Sequence, residues 1–169
     1  MYWGCQMYSG YDPSIKEYIP QFYEEAERRW TDEKATDSLL NLASMQLLGL
    51  AYLGNGKDYY VLIYVSEANA MATHMGLFGV DPTVTASKAQ EITAELQSAT
   101  LYAAWGTFNW IVLMSLFYQQ PGLAYPEYPP VLPIPGYARH GGRDESANSV
   151  RQSLQSAYIG DTFPALCQF

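Results

Sequence analysis

The sequence predicts an all-α protein: a bundle-like array of helices, with an extended proline-rich segment after a long fourth helix. Three observations predict it. Apolar residues recur at three- and four-residue spacing through most of the chain between Ile15 and Tyr118. Helix-ending glycines close two of these runs, at Gly54-Asn55-Gly56 and at Gly76. No alternating strand pattern and no internal repeat interrupts them.

Tyr11-Asp12-Pro13 reads as the first helix start, with Asp12 as the cap and Pro13 at the first helical position. Ile15, Ile19, Phe22, Ala26 and Trp30 follow on one face, Glu24, Glu25, Arg28 and Arg29 on the wet one, and Thr31-Asp32 marks the end. A second helix runs over about 37–53. Leu40, Ala43, Leu47 and Leu50 form its stripe, and Leu39, Leu42 and Met45 widen it, so burial on most sides is expected. The third, over about 57–75, sets Val61, Tyr64, Val65, Ala68, Met71, Ala72 and Met75 on one face. Met75-Gly76-Leu77 then reads as a left-handed glycine cap followed by an apolar residue, and Asp81-Pro82 continues the turn.

The fourth helix opens at Ser87, with Gln90 at capping-box spacing, and reaches Tyr118, either unbroken or interrupted near Gly106. Pro121-Gly122 ends it. Pro121, Pro126, Pro129, Pro130, Pro133 and Pro135 then impose an extended course across the helices, because proline fixes its own dihedral and lacks a donor. Residues 137–148 read as a mobile loop and 149–158 as a last short helix. The chain divides into an N-terminal helix and lead-in (1–36), a core (37–136) and a loop with a truncated C-terminal helical segment (137–169).

At 169 residues the chain fits one domain, and 49% hydrophobic with 15% aromatic residues supplies a core that disordered chains lack. Nine Lys+Arg stand against 17 Asp+Glu, a formal net charge of -8. Phosphate binding works through Lys and Arg that displace counterions. Here the basic pair Arg28-Arg29 sits among Glu24, Glu25 and Glu27, so these residues are not expected to hold DNA themselves. The acidity suits docking on other proteins.

Cys5 and Cys167 lie near opposite ends and form neither a disulfide framework nor a zinc set, which fits a reduced intracellular compartment. The first residues lack a signal-peptide layout. Residues 96–126 carry no charge and 101–118 are largely apolar, close to the ~20 residues that a membrane span needs. Gly106, Thr107, Asn109 and Ser115 interrupt the stretch, and no Lys or Arg cluster flanks it. It reads as a buried core helix, with membrane association through 101–118 as the alternative.

Catalytic signatures do not emerge. Gly54-Asn55-Gly56-Lys57 follows no strand and so is not a phosphate loop. His74 falls in a last helical turn, where it favours the helix dipole, and His140 lies in a loop of small and charged residues. There is no Gly-x-Ser-x-Gly elbow, and nothing in the sequence pairs Cys5 with His74 as nucleophile and base. Glu24-Glu25 and Asp32-Glu33 read as solvated faces. The chain is expected to be no enzyme and to hold no cofactor. Its aromatic set reads first as core. A ligand pocket built from Tyr60, Tyr64, Met71, Trp105, Phe108 and Trp110 is the alternative, since apolar interiors between helices host small ligands.

Three stretches in order carry a family likeness. They are Ser38-Leu39-Leu40-Asn41-Leu42-Ala43 closed by Tyr52-Leu53-Gly54-Asn55-Gly56, then Ala68 through Phe78 with its Gly76-Leu77, then Ala104-Trp105-Gly106-Thr107-Phe108-Asn109 followed by Gln120-Pro121. With Leu132-Pro133-Ile134-Pro135 they resemble the fungal-specific transcription factor domain, the regulatory middle region of zinc-cluster transcription factors, over about 37–136. Gly76, Leu77, Trp105, Gly106, Pro121 and Pro133 are its landmarks here. Two departures stand out: Gln97-Ser98-Ala99-Thr100 and Gln119-Gln120 replace arginines common in the family.

The resemblance implies regulation of RNA polymerase II transcription in the nucleus. Coregulators, other domains of the parent factor and a small-molecule effector are the implied partners, with no membrane. DNA and zinc would be bound only by an upstream six-cysteine region that these residues do not contain. A truncated helical interaction module without DNA binding is the alternative.

Overall fold

The computed structural model describes residues 1–81, 94–119, 125–135 and 162–168. Among the described residues six α-helices follow in order: α1 (Tyr2–Tyr8), α2 (Ile19–Glu33), α3 (Leu39–Gly54), α4 (Asp58–His74), α5 (Ala94–Tyr118) and α6 (Thr162–Leu166). A 3-10 segment, Pro13–Tyr18, precedes α2, and the described residues contain no strand. The protein is all-α, as its apolar periodicity predicts.

The N-terminal reading needs two corrections. Residues 2–8 form a helix that buries Tyr2 and Cys5, although the sequence suggested none before Asp12. Asp12-Pro13 opens a 3-10 turn and not an α-helix: the Asp12 carboxylate accepts from the Ser14 amide at 3.0 Å and its hydroxyl at 2.7 Å. The cause is Pro20. A continuous helix from Pro13 would put this ring deep inside, against the carbonyl four residues back. Starting α2 at Ile19 places Pro20 in the first turn, where its missing donor costs nothing. Ile19, Phe22, Ala26 and Trp30 then pack on the core along one side.

Ser38 caps α3 by accepting from the Asn41 amide at 3.1 Å. The stripe expected to face inward points outward: Leu40 is 73% and Leu47 50% exposed, while Leu42, Met45, Gly49 and Tyr52 form the buried seam. Both sets share one spacing, offset by two residues, which is roughly 200° around a helix of 3.6 residues per turn. A helix apolar on nearly all sides leaves this phase open. Two residues set it. Asn41 turns its amide to the Glu33 and Thr36 carbonyls, at 3.0 and 2.9 Å, and Gly49 admits the Trp110 indole.

α3 and α4 end alike. At Gly56 (φ 64°) the Lys57 amide donates to the Tyr52 carbonyl and the Gly56 amide to that of Leu53, both at 3.0 Å. At Gly76 (φ 70°) the Leu77 amide donates to Ala72 at 2.9 Å and the Gly76 amide to Thr73 at 3.0 Å. Each is the paired closure that lets a left-handed glycine satisfy the last carbonyls. In the second, Leu77 is buried. In the first, the same place falls to Lys57, whose ammonium stands 5.7 Å from the Tyr52 ring centre. α4 buries Val61, Tyr64, Val65, Ala68, Met71 and Ala72, the face that its spacing predicts.

α5 runs unbroken through Gly106. Ties on both sides of the glycine outweigh its ~1 kcal/mol helix penalty. The Trp105 indole donates to the Leu132 carbonyl at 2.9 Å, and the Gln46 amide group donates to the Thr107 hydroxyl at 2.5 Å. Nor is α5 buried all round. Ala104, Trp105, Thr107, Trp110, Ile111 and Met114 face inward, while Leu113, Leu116 and Phe117 are 58%, 67% and 69% exposed. Residues Leu96–Tyr118 are long and apolar enough to cross a membrane, with 39% of the most apolar window buried.

The proline-rich residues 125–135 adopt neither helix nor strand. They lie against the helices through Leu132 and through the Tyr128 carbonyl, which accepts from the Gly79 amide at 2.8 Å. α6 meets α5 where Phe163 contacts the Tyr102 ring and Asn109 donates to the Cys167 sulfur at 3.2 Å. The expected Ser87 helix start, Pro121, the 137–148 loop and the 149–158 helix lie outside the described residues.

Candidate functional site

α1, α2 and α3 enclose an open cleft of about 680 Å³. Each wall follows from local sequence. α2 presents Phe22, Ala26 and Trp30 at four-residue spacing. α3 presents Leu40, Leu47 and Leu48, including the outward residues of its unexpected phase. α1 adds Tyr2 and Trp3, and it is held by Tyr2: its hydroxyl accepts from Asn55 at 3.0 Å and its ring lies 5.2 Å from that of Tyr23. The volume is within the ~300–1,000 Å³ usual for small-molecule sites.

Polar groups line the rim. Glu25 accepts from Arg28 Nε and Nη2, each at 2.9 Å, and from Arg29 Nε at 2.6 Å. Hydrogen bonds from these two arginines hold its carboxyl far below the ordinary range, at about 2. Ser44 donates back to the Leu40 carbonyl at 2.8 Å. The lining contains no histidine, cysteine or lysine; its ionisable side chains are Tyr2, Glu25, Arg29 and Glu33.

None of the six residues suggested as a pocket lines this cleft. Tyr60 and Tyr64 both stack on Tyr52, at 4.9 and 5.5 Å. The Tyr52 hydroxyl donates to the Glu27 carboxylate, and Lys57 stands over the neighbouring Tyr23 ring at 5.4 Å. Trp105 and Phe108 meet in a second cluster with Phe78. Met71 and Trp110 are buried, Trp110 against Gly49. Trp30 connects the cleft with the first cluster, since its ring also contacts that of Tyr64 at 5.8 Å.

Of the landmarks, Gly76 and Leu77 close α4, Trp105 and Gly106 lie mid-way along α5, and Pro133 is exposed in the proline-rich segment. His74 sits 3.6 Å from Asp37, at the end of α4, and is 77% exposed. Burial raises the Cys167 thiol above its usual pKa, which keeps it protonated and unreactive. Among the described residues no group of three or more His, Cys, Asp or Glu is placed to hold a metal ion.

The sequence reading missed Tyr2 and Trp3 because seven helical residues are too few for periodicity to register. The three-residue spacing of Tyr2 and Cys5 was the available signal. No protein-family model matches the chain, and no curated protein or solved structure resembles it significantly.

Proposed function

We propose that this chain is a regulatory domain that senses an effector or partner, of the kind found in the middle region of fungal zinc-cluster transcription factors. It would modulate RNA polymerase II transcription in the nucleus. DNA and zinc would belong to a six-cysteine region outside these residues. The observation that supports a sensing role is the cleft between α1, α2 and α3, an open site with a largely apolar lining. Trp30 gives it a route inward: a ligand that moves this ring also moves its contact with Tyr64 on α4. A ligand that favours one packing of the helices shifts the population toward it.

Two experiments test the reading. The first is a melting screen of metabolites against the chain. A ligand at a hundred times its Kd adds about 2.7 kcal/mol, which corresponds to a rise of roughly 5–10 °C for a domain of this size. The second is the reading frame upstream of Met1. A six-cysteine cluster in frame supports the transcriptional assignment, and a stop codon without one removes it.

The exposed Leu113, Leu116 and Phe117 favour a second reading, in which α5 docks on a protein or a membrane. Detergent partition after an alkaline wash would support the membrane form. Full solubility without detergent would exclude it.

A further inference from the structure

The carboxylates at the cleft are unequally paired, and the difference indicates a ligand class. On α2, Glu25, Arg29 and Glu33 follow at four-residue spacing and all three line the cleft. Two carboxylates thus flank one guanidinium, with Met1 and its α-amine also in the lining. Arg29 turns to Glu25, at 2.6 Å. Glu33 is left over: among the described residues its carboxylate joins no ion pair, and only its backbone carbonyl is engaged, by Asn41 and by the Thr36 amide. The same cleft presents the rings of Trp3, Phe22 and Trp30. Aromatic faces and an open carboxylate attract the same kind of group, a cation.

We infer that the cleft takes an amphipathic cation, a small molecule with an aromatic or hydrocarbon body and one ammonium group, its body against Trp3, Phe22 and Trp30 and its ammonium at Glu33. An anionic ligand would meet Glu33 uncompensated and compete with Glu25 for Arg29. The inference rests on the sensing role proposed above and adds the chemistry of what is sensed.

Three probes of one shape test it: naphthylethylamine, naphthylethanol and naphthylpropanoate, titrated calorimetrically into the full chain. Met1 also lines the cleft, so each titration is repeated with the α-amine acetylated. The amine is expected to bind about three- to tenfold tighter than the alcohol, with the carboxylate weakest, since an exposed ion pair and a cation–aromatic contact each contribute modestly. Glu33→Gln should bring the amine down to the alcohol and leave the alcohol unchanged. Ser44→Trp, which fills the cleft from an accessible position, should abolish binding of all three, with helicity checked by circular dichroism.

Alcohol and carboxylate binding as tightly as the amine would overturn the cation inference while leaving a sensing cleft. Binding that survives Ser44→Trp would overturn the site. Failure of every probe would overturn the inference alone, because the sensing role is judged by the metabolite screen.

Discussion

Gly49 and Gly106 lie on facing helices and carry opposite consequences. A Cβ on Gly49 would stand 2.5 Å from Trp110 Cζ2 and 2.7 Å from Cη2, a rigid ring that cannot yield without separating α3 from α5. A Cβ on Gly106 would find its nearest neighbour, Gln46 Oε1, at 3.9 Å. Gly49→Ala should therefore lower stability by about 1–2 kcal/mol, the overpacking penalty less the gain in helix propensity. Gly106→Ala should raise it by roughly 0.5–1 kcal/mol. Urea unfolding of the two variants measures both. If Gly49→Ala were as stable as the parent, the close α3–α5 approach at Trp110 would be wrong.

At the scale of elements, the α2–α3 corner shapes the cleft. Asn41 holds it by donating to two carbonyls, one on the last residue of α2 and one in the loop. Asn41→Ala leaves both acceptors without this partner, which should cost about 2 kcal/mol. Because the residue also lines the cleft, the variant should bind any cleft ligand more weakly even at temperatures where it stays folded. Unfolding and ligand titration together separate the two effects. Retained stability would mean that the helix register of α3 is set elsewhere, by Gly49 and Trp110.

Across the molecule, tyrosines tie the elements together and make stability sensitive to alkali. Burial, with hydrogen bonding to Asp58, pushes Tyr118 up to about 12. Burial and the nearby Glu27 push Tyr52 and Tyr64 up as well. A folded-state pKa above the ordinary 10.0 means stability that is whole below pH 10 and is lost as pH rises through the folded value. The melting temperature should fall between pH 10 and pH 12, with phenolate absorbance rising together with unfolding. Tyr118→Phe should make that fall shallower. On the acid side Glu25 is exposed, so its pKa near 2 predicts only a slight decline below pH 4.5. A melting temperature unchanged from pH 9 to pH 12 would contradict the buried tyrosine network.

Sequence alone determined the elements whose signals are local. The α4 face and the Gly56 and Gly76 closures depend on spacing and on glycine's access to positive φ, both properties of a few adjacent residues. What needed the tertiary structure was phase and partnership. The apolar girth of α3 fits either face, and only Asn41 and Gly49, read against Glu33 and Trp110, turn Leu40 and Leu47 outward. Tyr60 and Tyr64 stack on Tyr52 while Trp105 meets Phe108, partners that could not be read from the sequence because aromatic spacing along a helix does not say which neighbour each ring will meet. The cleft itself joins α1, α2 and α3 across chain distances that no periodicity spans, so it exists only once the helices have packed.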